Sequence, residues 1–168
     1  MMNKALRSAW LKFQHMIYKI DNEDNQITIF HCIKNWYFDN KKLLSSHLIE
    51  EYGLEKLINI DTKDYLLEKS ECTPQDIKRF LEIQPYSEEC MIVWLRDQLW
   101  ELIVLAVDVK CERCDKLEMS ALFNIETETV FLECTQCCWI RTIDEHLVES
   151  IKTIRLATNQ DLKIAGLI

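Results

Sequence analysis

Apolar residues recur along the first hundred positions with a helical period. Leu6, Ala9, Trp10, Phe13, Met16, Ile17 and Ile20 fall three or four apart, so residues 3–20 predict an amphipathic helix. The polar run Asp21-Asn22-Glu23-Asp24-Asn25 interrupts the pattern and can cap the next element. Residues 26–38 fit two periods. Ile27, Ile29 and Ile33 suit a strand, whereas Phe30, Ile33, Trp36 and Tyr37 suit a helix, which is the preferred assignment. Leu43, Leu44, His47, Leu48 and Tyr52 predict another helix over 41–52, stopped by Gly53. Short helices are expected at 54–59 and 62–70. Thr73-Pro74-Gln75-Asp76 is a helix start, with a capping threonine and a proline in the first turn. Ile77, Phe80, Leu81 and Ile83 are expected to face inward before Pro85 ends the run. Ser87, with Glu88 and Glu89 after it, opens a helix along which Met91, Trp94, Leu95, Gln98 and Leu102 share a face.

Beyond residue 104 the period shortens. Leu122-Phe123-Asn124-Ile125 and Thr129-Val130-Phe131-Leu132 are β-prone runs around the polar turn Glu126-Thr127-Glu128, which predicts a hairpin. Val104–Lys110 and Trp139–Ile143 are expected to be its outer strands. Asp144 would start a last helix through Leu147, Ile151 and Ile154, with Lys152 and Arg155 near its C-terminal end. Leu162–Ile168 would add an edge strand or simply pack. The expected class is α+β: a mainly helical region (1–104) packed on a small antiparallel hairpin module (105–143), followed by a C-terminal helix and tail (144–168). No Gly-, Pro- or Ser-rich linker separates them, so one packed unit is expected.

Composition supports the helices. In 168 residues only two glycines and two prolines occur, too few for a turn-rich β fold. Hydrophobic residues make up 48%, enough for a sizeable core. The longest apolar run, Leu102–Val107, is too short to span a membrane, and no membrane partner is expected.

Chemistry concentrates in the cysteines. Cys111 and Cys114 form one Cys-x-x-Cys pair, and Cys134 and Cys137 form another, with 19 residues between the pairs. This is the spacing of a four-thiolate metal site, each pair on a tight turn and the hairpin folding one turn onto the other. Eight cysteines without a signal peptide fit a reducing cytoplasm, where spaced thiols bind metal rather than pair as disulfides. The module resembles a zinc ribbon over about a quarter of the chain, which implies a structural Zn2+. Four sulfurs suit iron as well, as in rubredoxin-like sites. Such knuckles usually carry glycine after the second cysteine, where positive φ is required, and here Asp115 and Cys138 stand there. The fourth ligand is therefore Cys137 or Cys138.

No other constellation rises to a catalytic site. Asp144-Glu145-His146 holds the ingredients of acid–base chemistry, but neighbours in a helix do not share a face. His15, His31 and His47 stand singly among apolar residues and predict partly buried structural roles, and Cys32, Cys72 and Cys90 predict small core hydrophobes. No phosphate loop, nucleophile elbow or dinucleotide fingerprint occurs, so an enzyme is not expected.

Charge then separates the binding classes. Residues 1–20 hold four basic residues and no acid, 21–110 hold 18 acids against 10 bases, and the whole chain is −8. A polyanion would be repelled, so direct nucleic-acid binding is not expected, and a basic protein would be attracted. A compact acidic chain with runs such as Glu50-Glu51, Glu88-Glu89 and Glu126-Thr127-Glu128, and with an Asn/Ile/Lys-rich first half, resembles bacterial immunity proteins of the contact-dependent growth inhibition type. That resemblance is one of overall type and carries no shared motif. It implies a monomer that neutralises a cognate basic toxin, a nuclease for choice, in a 1:1 complex. The expected contact residues are Glu126, Glu128, Glu133, Asp144 and Glu145. The competing expectation is a zinc-ribbon adaptor in transcription or translation.

Overall fold

The computed structural model describes residues 3–21, 26–70, 72–144, 151 and 153–168. The chain is α+β and divides into two compact units, residues 1–60 with 71–102 and residues 61–70 with 103–168. No described helix is long and apolar enough to cross a membrane.

The first unit is helical: α1 (Lys4–Tyr18), α2 (Gln26–Asn40), α3 (Ser46–Glu51), α4 (Leu54–Ile58), α5 (Pro74–Leu81) and α6 (Glu88–Ile103). Asn3 caps α1 by accepting the Leu6 N–H at 2.8 Å. Leu6, Ala9, Trp10, Phe13 and Ile17 are buried along one face, as their spacing predicts. The two-period stretch after it is helical, because Ile29, Phe30, Ile33, Trp36 and Tyr37 then share one buried face. Aromatic rings hold these helices together. Trp10 stands edge-on to Trp36 at 5.9 Å and to Trp94 at 5.2 Å, with Phe13 tilted against Trp10 at 5.2 Å. Each such pair adds roughly 0.5–1.5 kcal/mol beyond the area it buries. Trp36 donates its indole N–H to the Ala9 carbonyl at 3.0 Å, and buried Gln14 donates to the Leu81 carbonyl at 2.6 Å, satisfying an open acceptor at the end of α5.

Three expectations for this unit need correction. Residues 41–52 are not one helix: a 3-10 turn over Lys41–Leu43 ends at Leu44 in extended backbone, and Ser45 then starts α3. Ile77 and Leu81 face inward, but Phe80 stands 50% exposed within α5 beside their buried face, and Ile83, past the end of α5 at Leu81 where the helical phase is lost, is 71% exposed. His15, His31 and His47 all lie exposed, on the outer phase of their helices.

The second unit is built on an antiparallel sheet: β1 (Ala106–Val107), β2 (Met119–Asn124), β3 (Thr129–Glu133), β4 (Ile140–Thr142) and β5 (Ile154–Leu156), followed by α7 (Asn159–Ile164). The order is β1-β2-β3-β4. β5 joins β2 beyond β1, pairing Leu122–Asn124 while β1 takes Met119 and Ser120. The central register sets Ala121 opposite Leu132 and Phe123 opposite Val130. Met119, Ala121, Val130 and Leu132 therefore share a face, and they form one core with Cys111, Cys134, Ala157 and Leu162. The hairpin is where the sequence predicts it, and the outer strands are shorter than expected. The helix expected from Asp144 is corrected at its far end, since Ile154–Leu156 is a strand and the helix lies at Asn159–Ile164. Residues 145–150 and 152 lie outside the described residues.

Candidate metal centre

Both Cys-x-x-Cys segments fold as the same knuckle. In the first, the Cys111 N–H donates to the Lys116 carbonyl at 2.7 Å and the Asp115 N–H to the Cys111 carbonyl at 2.9 Å. In the second, the Cys134 N–H donates to the Trp139 carbonyl and the Cys138 N–H to the Cys134 carbonyl, both at 2.9 Å. Closing each turn drives the residue after the second cysteine into the left-handed region, Asp115 at φ 62° and Cys138 at φ 54°. These are the places where a knuckle would favour glycine, and the chain adopts the conformation without it. The first knuckle precedes β2 and the second follows β3, so the hairpin ladder sets them side by side.

The result is one cluster of four sulfurs. Cys111, Cys114, Cys134 and Cys137 have their Sγ atoms within 4.8 Å of one another. The Cys111–Cys137 separation is 3.6 Å and the Cys114–Cys134 separation 3.5 Å. Four thiolates about 2.3 Å from a tetrahedral ion would stand about 3.8 Å apart. The donor set therefore fits a metal ion. Cys111 and Cys134 are fully buried, Cys114 and Cys137 half-buried. Cys138 is exposed and outside the cluster, and Cys137 supplies the fourth sulfur.

The cluster divides its protons unevenly. Burial pushes the Cys134 thiol up, but the N–H groups of Cys137 and Gln136 and the neighbouring sulfurs outweigh it and bring it down to about 7. Cys137 is pushed up to about 12, chiefly by burial and then by its contacts with the other sulfurs. At Cys114 the Lys116 N–H favours the thiolate, but burial and the Cys134 sulfur together raise the thiol. Three basic groups around the knuckles face acids, Lys110 at 2.8 Å from Asp115, Arg141 at 3.7 Å from Glu112 and Lys116 at 3.8 Å from Glu118, while Arg113 is exposed inside the first knuckle.

The expected contact residues scatter. Glu126 and Glu128 are exposed on the hairpin tip, where Asn124 accepts the Glu126 N–H at 3.0 Å and Glu128 is left-handed at φ 55°. Glu133 sits half-buried at the other end of β3, and burial pushes its carboxyl up. Asp144 is exposed where the chain leaves β4, and Glu145 lies outside the described residues. Glu128 and Asp144 meet at one depression of about 760 Å3, whose lining includes Ile125, Val130 and Ile143.

Arg155 and Asp161 also line this depression, and the apolar pattern of the sequence does not single them out as a pair. Arg155 lies over the Phe123 ring at 3.6 Å and donates to both Asp161 oxygens, at 2.6 and 3.0 Å. A signal for Asp161 does exist: Thr158 and Asp161 have the same spacing as the capping pair Thr73 and Asp76, and both close as capping boxes. No protein-family model, curated protein or solved structure matches the chain.

Proposed function

We propose that the chain is an immunity protein that binds a basic protein toxin in the cytoplasm, a nuclease in the preferred reading, and occludes its active site or an exosite. The observation that carries this reading is the depression beside the hairpin, whose lining joins Glu128 and Asp144 to the apolar Ile125, Val130 and Ile143. Carboxylates steer a basic surface into contact at high rate, and desolvated apolar groups then slow its departure. The net charge of −8 adds a long-range attraction for a basic partner.

Zn2+ is the metal proposed for the four-cysteine cluster. A site closed by four thiolates leaves no open position for substrate, so the ion would act by tying the knuckles and stiffening the hairpin. A stiff hairpin loses little ordering entropy when it docks. The competing adaptor reading requires a basic surface for phosphate, whereas around the knuckles and hairpin Lys110, Arg113, Lys116 and Arg141 are outnumbered by Glu112, Asp115, Glu118, Glu126, Glu128 and Glu133.

Affinity capture of the tagged protein from its native cells tests the proposal. A stoichiometric basic protein is expected in the eluate, and Glu126→Lys with Glu128→Lys should weaken its retention about tenfold or more without loss of fold. Recovery of nucleic acid, or of polymerase or ribosome subunits, would sink the immunity reading in favour of the adaptor.

A further inference from the structure

The helical unit carries a second recognition feature, remote in sequence from the hairpin. Residues of α5 and α6 line a pocket of about 560 Å3 whose charged members, Asp76, Asp97 and Glu101, are all acidic. Phe80 and Trp94 supply aromatic walls. Carboxylates alone would be a solvated surface, but the pocket also contains Gln98. This residue is only 3% exposed, and its Oε1 has no hydrogen-bond partner among the described residues. The buried Trp94 indole N–H also lacks an acceptor among them. A buried polar atom without a partner is costly, so an unpaired acceptor and an unpaired donor on two residues that line one pocket point to a ligand that supplies the complement of each.

We infer that this pocket receives an arginine side chain of a basic protein, together with the peptide carbonyl beside it. The guanidinium supplies several donors in a flat fork, matching Gln98 Oε1 and the carboxylates. Its face stacks on Trp94 or Phe80, which an ammonium does less well. The peptide carbonyl supplies the acceptor that Trp94 lacks. Exposed ion pairs at these acids, Arg96 on Asp97 at 2.5 Å and Arg79 near Asp76 at 3.8 Å among them, are weak competitors because such pairs exchange readily. Cys72 on the wall is pushed up to about 12, by burial first and then by Glu101 and Asp76, so it stays a neutral thiol and not a nucleophile. Past Phe80, half-exposed at 50%, the chain displays Ile83 at 71% and Tyr86 at 82%, apolar groups of the kind that anchor protein interfaces.

The inference rests on the reading of the chain as a binder of basic protein, and its test separates the two. Titrate N-acetyl-arginine methylamide into the full chain and follow the Trp94 indole resonance, assigned with Trp94→Phe. A saturable shift is expected, about threefold weaker with the lysine analogue and absent with the citrulline analogue. Asp97→Asn with Glu101→Gln should weaken binding about fivefold, and Gln98→Leu, which keeps the side-chain bulk, should do the same. Near-ultraviolet circular dichroism confirms that each variant is folded. Absence of a saturable shift, or a shift indifferent to these substitutions in folded protein, overturns the pocket. Arginine binding without any basic protein captured from cells would uphold the pocket and remove the immunity reading. Capture of a basic protein whose affinity ignores Asp97→Asn with Glu101→Gln would uphold that reading and overturn the pocket.

Discussion

Asp115 and Cys138 hold the knuckles closed in a backbone conformation that costs an L-residue roughly 1–2 kcal/mol. The strain is imposed by paired turn hydrogen bonds and by the packing of Cys111 and Cys134 in the core, where both are fully buried. Cys138 is exposed and contributes no sulfur to the cluster, so its side chain can be removed without touching the site. Cys138→Gly should raise stability by about 0.5–1 kcal/mol, the relief of strain being offset partly by the added freedom of the unfolded chain. Metal stoichiometry should be unchanged. Thermal melts with metal analysis check this, and loss of metal would place Cys138 among the ligands. The same scale explains why Phe80 and Ile83 depart from the inward face expected of them: near and past a helix end, periodicity no longer says which way a side chain points.

At the scale of elements, α7 is only six residues long and depends on its tethers. Asp161 closes the capping box with Thr158 and pairs with Arg155, and chiefly that Arg155 contact holds its carboxyl at about 2, below the ordinary 3.8. A carboxyl lowered in the folded state contributes stability above pH 4, and the contribution is lost as pH falls from about 4 to 2. Asp161→Asn should cost about 2 kcal/mol near neutrality and flatten the acid limb of stability against pH. Urea melts at pH 7 and pH 3 measure both, and equal losses at the two pH values would refute the coupling.

A metal ion at the four cysteines would tether the hairpin in a comparable way. The four thiols must shed their protons to bind, so affinity should fall steeply as pH drops below neutrality. Chelation should speed amide exchange in β2 and β3. Unchanged exchange after complete metal removal would show that the core alone holds the hairpin.

At the scale of the whole molecule, the net charge of −8 predicts how a partner arrives. The association rate with a captured basic protein should fall about tenfold or more between low and physiological salt, while the dissociation rate changes little. Stopped-flow mixing across ionic strength checks this, and a salt-independent association rate would exclude steering. The two units divide the chain near Leu102, inside α6. The sequence pattern changes its apolar period after residue 104 and offers no sign that Asp61–Ser70 belongs with residues 103–168.

The α+β class, the helical period of α1, α2 and α6, the hairpin and the four spaced cysteines were all legible in sequence, because each is written in local spacing: 3.6 for a helix, 2 for a strand, two residues between paired thiols. What local spacing cannot carry was decided by tertiary structure. β5 is a strand because β2 offers it an open edge, although Ile151 and Ile154 read as helix. Cys137 and not Cys138 joins the cluster because knuckle closure leaves one sulfur with the other three and the next residue exposed. Glu128 and Asp144, sixteen positions apart, meet because β3 and β4 pair, and the acids of α5 and α6 share a pocket with Gln98 only once those helices are packed. A linear pattern encodes which face a residue takes on its own element; which distant faces meet is settled by the packing of the elements.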